Sequence, residues 1–395
     1  MSRLKMTTAG ESHGPGITCL VEGLPAGLHI SKSFLEAQLA RRQQGYGRGG
    51  RMALEQDTAE VLAGLRGERT LGTPVVLFIK NRDYENWREV VGTESTPEGE
   101  ASHAFTVPRP GHGDLAGALK YHFDDLRDVL ERTSARETAG RVAAGALAKA
   151  LLAEFGITIG SFVTIIGPVE ATFCKGDLGT LFELAETSST RCPSPEKTLE
   201  MEKAIAAVKE AGDSLGGQFV VAALGVPPGL GSYASWEERL DGRLAGALMS
   251  VQATKAVEIG AGIDFGGLPG SEAHDPIGLE SVGEGWRITR ASNNAGGLEA
   301  GLTNGQPVVA RCTMKAIPTL MKPLPSVDLR TKETSAAHSE RSDVCAVPAA
   351  AVVAEAMMAL VLADALLEKY GGDSLSEIRG RHEAHLAACA RLDWF

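Results

Sequence analysis

Apolar positions along the chain fall into short extended runs and long helical stretches. Ile17–Glu22 has β-forming character, and Pro74–Lys80 carries an unbroken apolar run from Val75 to Ile79, the mark of a buried strand. Between them the pattern predicts a helix from Ser33, with Glu36 three residues on as a capping box. It should end near Gln44, where glycines at 45, 47, 49 and 50 begin. Ser134 to Phe155 is the clearest helix: Ser134 and Glu137 read as a second capping box, Ala, Leu and Val follow at helical spacing, and Gly156 supplies the stop. Ile157–Gly167 then reads as a strand, 196–211 as a helix, 218–224 as a strand and 236–255 as a helix beginning near Ser235. A strand over 306–315, a long helix over 348–370 ending at Gly371 and a last helix over Asp373–Ala390 complete the prediction. Val347 to Leu367 is the most apolar stretch, but Glu355 and Asp364 interrupt it, so it is expected to be a core helix and not a membrane span.

This irregular interleaving lacks the strand–helix alternation of a doubly wound fold and predicts an α+β class. No low-complexity linker divides the chain, so residues 1–395 are expected to form one domain. The order strands, long helix, strand occurs in both 17–167 and 218–370, which suggests an internal duplication. Hydrophobic residues make up 43% of 395, enough for one large core or two fused ones. The net charge of -11 repels nucleic acid and anionic membrane, so any anionic ligand needs a local cationic site. Cysteines at 19, 174, 192, 312, 345 and 389 have no C-x-x-C or metal-knuckle spacing, so no metal is expected. Scattered thiols and the lack of an apolar leader after Met1 point to the cytoplasm.

Four loops carry candidate chemistry, within a chain whose residues 81–112 already read as a long, functional irregular segment. Gly10 to Gly16 presents Ser12 and His13 among glycines; a solvated surface turn is the competing reading. Arg41 to Arg51 holds four arginines and no acid, which in an acidic chain points to an anion, since Arg matches phosphate and carboxylate by bidentate geometry. Gly45, Gly47 and Gly50 match a dinucleotide fingerprint, but they follow a helix where that motif follows a strand. Pro108 to Asp114 stiffens a loop around Arg109 and His112. Arg132 to Glu137 opens the best helix, where free N–H groups and two arginines suit a phosphate; an ordinary cap is the alternative. Lys315 to Thr319 and Arg341 to Pro348 add charge in the second half. Asp343 reads equally as a proton acceptor or a helix-capping carboxylate. The residues alone therefore describe an enzyme for a small polyanion. A cofactor-independent phosphate lyase or phosphatase fits them too, while an RNA-binding role for the Arg-Gly loop conflicts with the overall acidity.

The set of loops resembles the chorismate synthase family from about Lys5 to about Tyr370. The matching segments are Gly10–Gly16, Arg42–Met52, Pro108–Asp114, Phe123–Glu137, Asp213–Gly217, Gly229–Tyr233, Ser292–Gly297, Thr303–Pro307 and Arg341–Pro348. The resemblance implies a helical layer between two antiparallel sheets, a homotetramer, and anti 1,4-elimination of phosphate from 5-enolpyruvylshikimate-3-phosphate (EPSP) with reduced FMN. It implies substrate contacts at Arg42, Arg48, Arg109, Arg136 and Arg341, with Ser12 and Arg51 nearby. His13 would be the general acid at the leaving phosphate, His112 would protonate the flavin, and Asp343 would assist proton transfer at flavin N5. Flavin contacts would come from Arg132, Thr133, Ser134, Gln252, Ala253, Gly297, Lys315, Ala316, Ile317, Pro318, Thr319 and Arg341. Arg42 and Arg48 are also the positions where NADP contacts would be assigned. Thr133 replaces a frequent Ser and Gly113 a frequent Ala. Length and the lack of large insertions resemble members that take electrons from a separate flavin reductase or other donor.

Overall fold

The computed structural model describes residues 3–49, 56–173, 177–283, 285–340 and 342–392, so Arg51 and Arg341 lie outside the described residues. Two antiparallel sheets dominate. The first has strand order Lys5–Ala9, Gly16–Glu22, Val75–Lys80, Ala59–Ala63. The second runs Thr254–Ile259, Val308–Met314, Gly217–Leu224, Thr158–Ile166, Val169–Glu170. Alternation decides which face is buried. Ile17 pairs with Ile79, Cys19 with Leu77 and Val21 with Val75, and all six side chains point inward.

The helix Thr138–Ala153 packs on the first sheet, Val347–Tyr370 packs on the second, and the two helices pack on each other. Their contact is close because Gly145 has no side chain: a Cβ there would lie 2.3 Å from the Ala356 Cβ. Val347–Tyr370 has the length and apolarity of a membrane span, but 89% of its most apolar window is buried inside the protein, as expected of a core helix. Glu355 in its middle is fully buried. It accepts hydrogen bonds from Arg41 (2.7 and 2.9 Å), Lys149 (2.5 Å) and Ser161 (2.5 Å). Burial opposes its charge, but Lys149, Arg41 and Arg191 outweigh that and hold the carboxyl well below the usual range.

Several local expectations are corrected. The first helix, Lys32–Gln43, is capped by Ser31, whose Oγ accepts from the Phe34 N–H, and not by Ser33 with Glu36. Ser134 caps a short 3-10 turn, Ala135–Glu137, ahead of the long helix. Glu137 does not reach back to it, because Thr8, Arg141 and Gln252 occupy its carboxylate. A true capping box forms elsewhere, at Ser374 and Glu377 of the last helix, Leu375–Arg391. The expected helix over 236–255 breaks into a 3-10 turn at Trp236–Glu238, a helix Leu240–Met249 and a strand from Thr254. Ala253 sits at φ 64°, a left-handed conformation that no helix continues through. Strands Lys5–Ala9 and Ala59–Ala63 and the hairpin Ile277–Val282/Gly285–Arg290 lacked a legible apolar run.

Candidate active site

The Gly10–Gly16 loop leaves one strand of the first sheet and enters the next. Gly10 takes φ 117°, and a Cβ there would lie 2.2 Å from the Gly16 carbonyl oxygen, so only glycine closes this turn. Asn81, at the end of the strand Val75–Lys80, holds the loop from beneath. Its Nδ2 donates to the carbonyls of Glu11, Ser12 and Gly14 (3.2, 3.1 and 2.6 Å), and its Oδ1 accepts from Arg136 Nε (2.7 Å). Ser12 is buried and donates to Ser134 Oγ (3.0 Å). His13 Nδ1 lies 2.8 Å from Glu131 Oε1, and its ring stacks on Trp87 with centroids 4.0 Å apart.

Arg42 and Arg136 share one carboxylate. Asp57 Oδ2 accepts from Arg42 Nη2 (2.6 Å) and Oδ1 from Arg136 Nη1 (2.5 Å), all three side chains being buried. Burial disfavours the charge on Asp57, yet the two guanidinium groups win and its carboxyl is lowered from the ordinary value. Arg42 is lowered by burial and by Arg136 against the pull of Asp57. Arg48 pairs with Asp343 Oδ2 (2.7 Å), whose Oδ1 accepts the Gly49 N–H (2.6 Å). Asp343 therefore ties down the Arg-Gly loop. It is not a helix cap, since the following helix starts from Ala346 with no side-chain cap.

A second histidine is seated in the same manner. His112 Nδ1 lies 2.6 Å from Asp114 Oδ1, and Asp114 also accepts from Arg109 Nε and Nη2 (2.8 and 2.9 Å). Asp114 is fully buried; Arg109 and His112 overcome that burial and keep its carboxyl well below the usual range. Arg109 Nη1 donates to Thr319 Oγ1 (2.9 Å), and Lys315 Nζ donates to the Gly111 carbonyl, so the 109–112 and 315–319 loops meet. Ile317 is fixed by its carbonyl accepting from Ser214 Oγ (2.6 Å). Ala316 lies over Gly216, where a Cβ would stand 2.7 Å from the Ala316 nitrogen; Pro318 flanks Gly111.

Arg132 ends the helix Arg127–Thr133 and does not open the long helix; its guanidinium donates to the Thr8 carbonyl and Thr8 Oγ1 (both 2.9 Å). Thr133 Oγ1 turns back to the Val129 carbonyl (2.8 Å). Gln252 Nε2 donates to Glu137 (3.1 Å), while its Oε1 is buried with no hydrogen-bond partner among the described residues. The neighbouring Ala253 carbonyl accepts the Lys315 N–H (3.0 Å). A buried amide oxygen left without a partner among the described residues fits a ligand that offers an N–H, as a flat heterocycle does. The Gly297 N–H donates to Asn293 Oδ1 (2.7 Å).

Apart from Asp343, sequence reading missed the acids. Glu131 and Asp114 lie inside recognised motifs, so their position was visible and their partners were not. Asp57 lies in no motif, and nothing local marks it. Asn81 and Trp87 fall in the 81–112 segment already expected to be functional.

Buried arginines held around carboxylates and two histidines each seated on an acid are an arrangement suited to acid–base chemistry on a small polyanion. A family model described as chorismate synthase matches residues 4–367. A chorismate synthase of Aquifex aeolicus is 54% identical over 391 residues, covering 97% of each chain. One of Moorella thermoacetica is 55% identical over 382 residues, covering 97% of this chain and 98% of the relative. A crystal structure of chorismate synthase superposes with a TM-score of 0.77 at 45% identity, covering 98% of both chains. The chain belongs to the chorismate synthase family, flavin-dependent carbon–oxygen lyases that act on a phosphate in the shikimate pathway to aromatic amino acids. The resemblance read from the loops is thereby borne out.

Proposed function

We propose that this chain catalyses the anti 1,4-elimination of phosphate from EPSP to give chorismate, with reduced FMN as cofactor. The observation that carries the reading is the bonded network joining His13, Ser12, Ser134, Arg136 and Arg42 through Asn81, Glu131 and Asp57. Reduced FMN, when bound, supplies electron density while the C–O bond breaks. Gln252, Ala253 and the Lys315–Thr319 loop would hold it, with Arg132, Thr133 and Ser134. Arg42, Arg48, Arg109 and Arg136 hold the phosphate and carboxylates of the substrate; each is already desolvated and oriented by an acid, so little reorganisation is needed on binding. His13 gives a proton to the departing phosphate. His112, its Nδ1 fixed by Asp114, exchanges protons through Nε2. Asp343 anchors Arg48 and, with FMN bound, would assist proton transfer at the flavin N5.

We also read the two long helices as a central layer between the sheets and the two halves of the chain as a duplication. A cytoplasmic homotetramer fed by a separate flavin reductase completes the reading. Purified protein with EPSP and chemically reduced FMN, kept anaerobic, is expected to release phosphate and form chorismate. No product would overturn the assignment, and equal product without flavin would favour a cofactor-independent lyase.

A further inference from the structure

We infer that Glu131 is a positioning residue that selects the tautomer and orientation of His13. The inference rests on the reading of His13 as proton donor. Glu131 Oε2 accepts the backbone N–H of His13 (2.8 Å), and Oε1 faces the ring Nδ1 of the same residue (2.8 Å). The peptide carbonyl of Glu131 also accepts the Ser12 N–H (2.9 Å). One residue therefore grips both backbone and ring. A carboxylate can only accept, so Nδ1 carries a hydrogen in every protonation state of the ring. The second proton then enters and leaves at Nε2. In the transfer, the Nε2–H bond breaks, an O–H bond forms on the departing phosphate, and the ring returns to the neutral Nδ1–H form.

Two further contacts hold the arrangement. Trp87 stacks on the imidazole with the planes 29° apart and blocks rotation of the ring. Its own indole N–H is anchored on Asp83 (2.9 Å). Arg127 Nη1 lies 3.7 Å from Glu131 Oε1, while Nη2 of the same guanidinium donates to Glu340 Oε1 (2.9 Å). A cation thus stands near the same carboxylate oxygen that faces the ring, which favours the charged, acceptor-only form of Glu131.

The substitution Glu131→Gln separates tautomer control from mere packing. An amide offers one acceptor and one donor group. If its oxygen takes the His13 backbone N–H, its NH2 faces Nδ1 and drives the hydrogen to Nε2. The opposite orientation sets donor against donor. Nitrogen-15 spectra of the histidine-labelled full chain with bound FMN, the His13 signals assigned by their absence in His13→Ala, should show neutral His13 as Nδ1–H in the unsubstituted protein and as Nε2–H in E131Q. Turnover in E131Q should fall by ~10-fold or more, as expected when a general acid is misloaded, with the KM for EPSP little changed. Glu131→Asp, which keeps an acceptor-only side chain, should recover part of the loss. An Nε2–H signal in the unsubstituted protein, or unchanged turnover in E131Q, would overturn the inference. Full activity of His13→Ala would instead remove His13 from catalysis, while the nitrogen spectra still decide what Glu131 does.

Discussion

Asp57 sets the charge balance around the two innermost arginines. Its carboxylate lies between Arg42 and Arg136 at 2.6 and 2.5 Å, with no exposure to water. Replacing it with Asn would leave two buried guanidinium groups facing each other. Stability should fall by ~3–5 kcal/mol, the cost of stranding a buried charge, as measured by urea denaturation at neutral pH. A loss below about 1 kcal/mol, the worth of an exposed pair, would show that water reaches the cluster. Arg42 was legible in the sequence because it stands in an arginine- and glycine-rich segment without an acid, and Arg136 because it opens the best helix. Their counter-ion was not, since Asp57 meets Arg136 only after the chain has passed through several strands and helices. The same holds for Asp114, whose place in its motif gave no hint that it serves Arg109 and His112 together.

Gly145 governs how closely the two long helices approach. An isolated helix would gain about 1 kcal/mol from Ala in place of Gly. Here the added carbon would stand 2.3 Å from the Ala356 Cβ and 2.5 Å from its Cα, so the helices must separate. Overpacking of this kind costs about 1–3 kcal/mol, which outweighs the propensity gain. Gly145→Ala should therefore lower the midpoint of urea unfolding; a rise would mean that the layer has slack. The long apolar helices and central strands were readable from periodicity, because burial imposes a period on the sequence. The broken helix at 236–255 was not, because no glycine or proline marks the end of Leu240–Met249; the left-handed turn at Ala253 and the pairing of Thr254–Ile259 with Val308–Met314 take the chain into a strand.

At several places in the molecule, carboxylates paired with cations are held below their ordinary range. Asp57, Asp114 and Glu355 are lowered, and Glu186 and Glu340 are brought down to about 2. Burial works against each charge, and Arg41 and Arg191 for Glu186, or His338 and Arg127 for Glu340, prevail. A depressed carboxyl stabilises the fold fully above its unfolded value, about 4.3 for Glu, and that contribution is lost as pH falls through the folded value. Urea midpoints should stay level from pH 7 to about 5 and decline steadily from about 4.5 toward 2. A flat profile through that window would refute the charge network. By itself the sequence determined the core helices, the central strands, the glycine-hinged loops and the basic residues proposed to hold an anion, because periodicity, backbone freedom and charge density are local properties. Only the tertiary structure decided which acid meets which base. The Gly10–Gly16 loop, the Arg127–Thr133 helix and the strand ending at Lys80 are far apart in sequence, and sheet pairing and helix packing bring His13, Glu131 and Asn81 together.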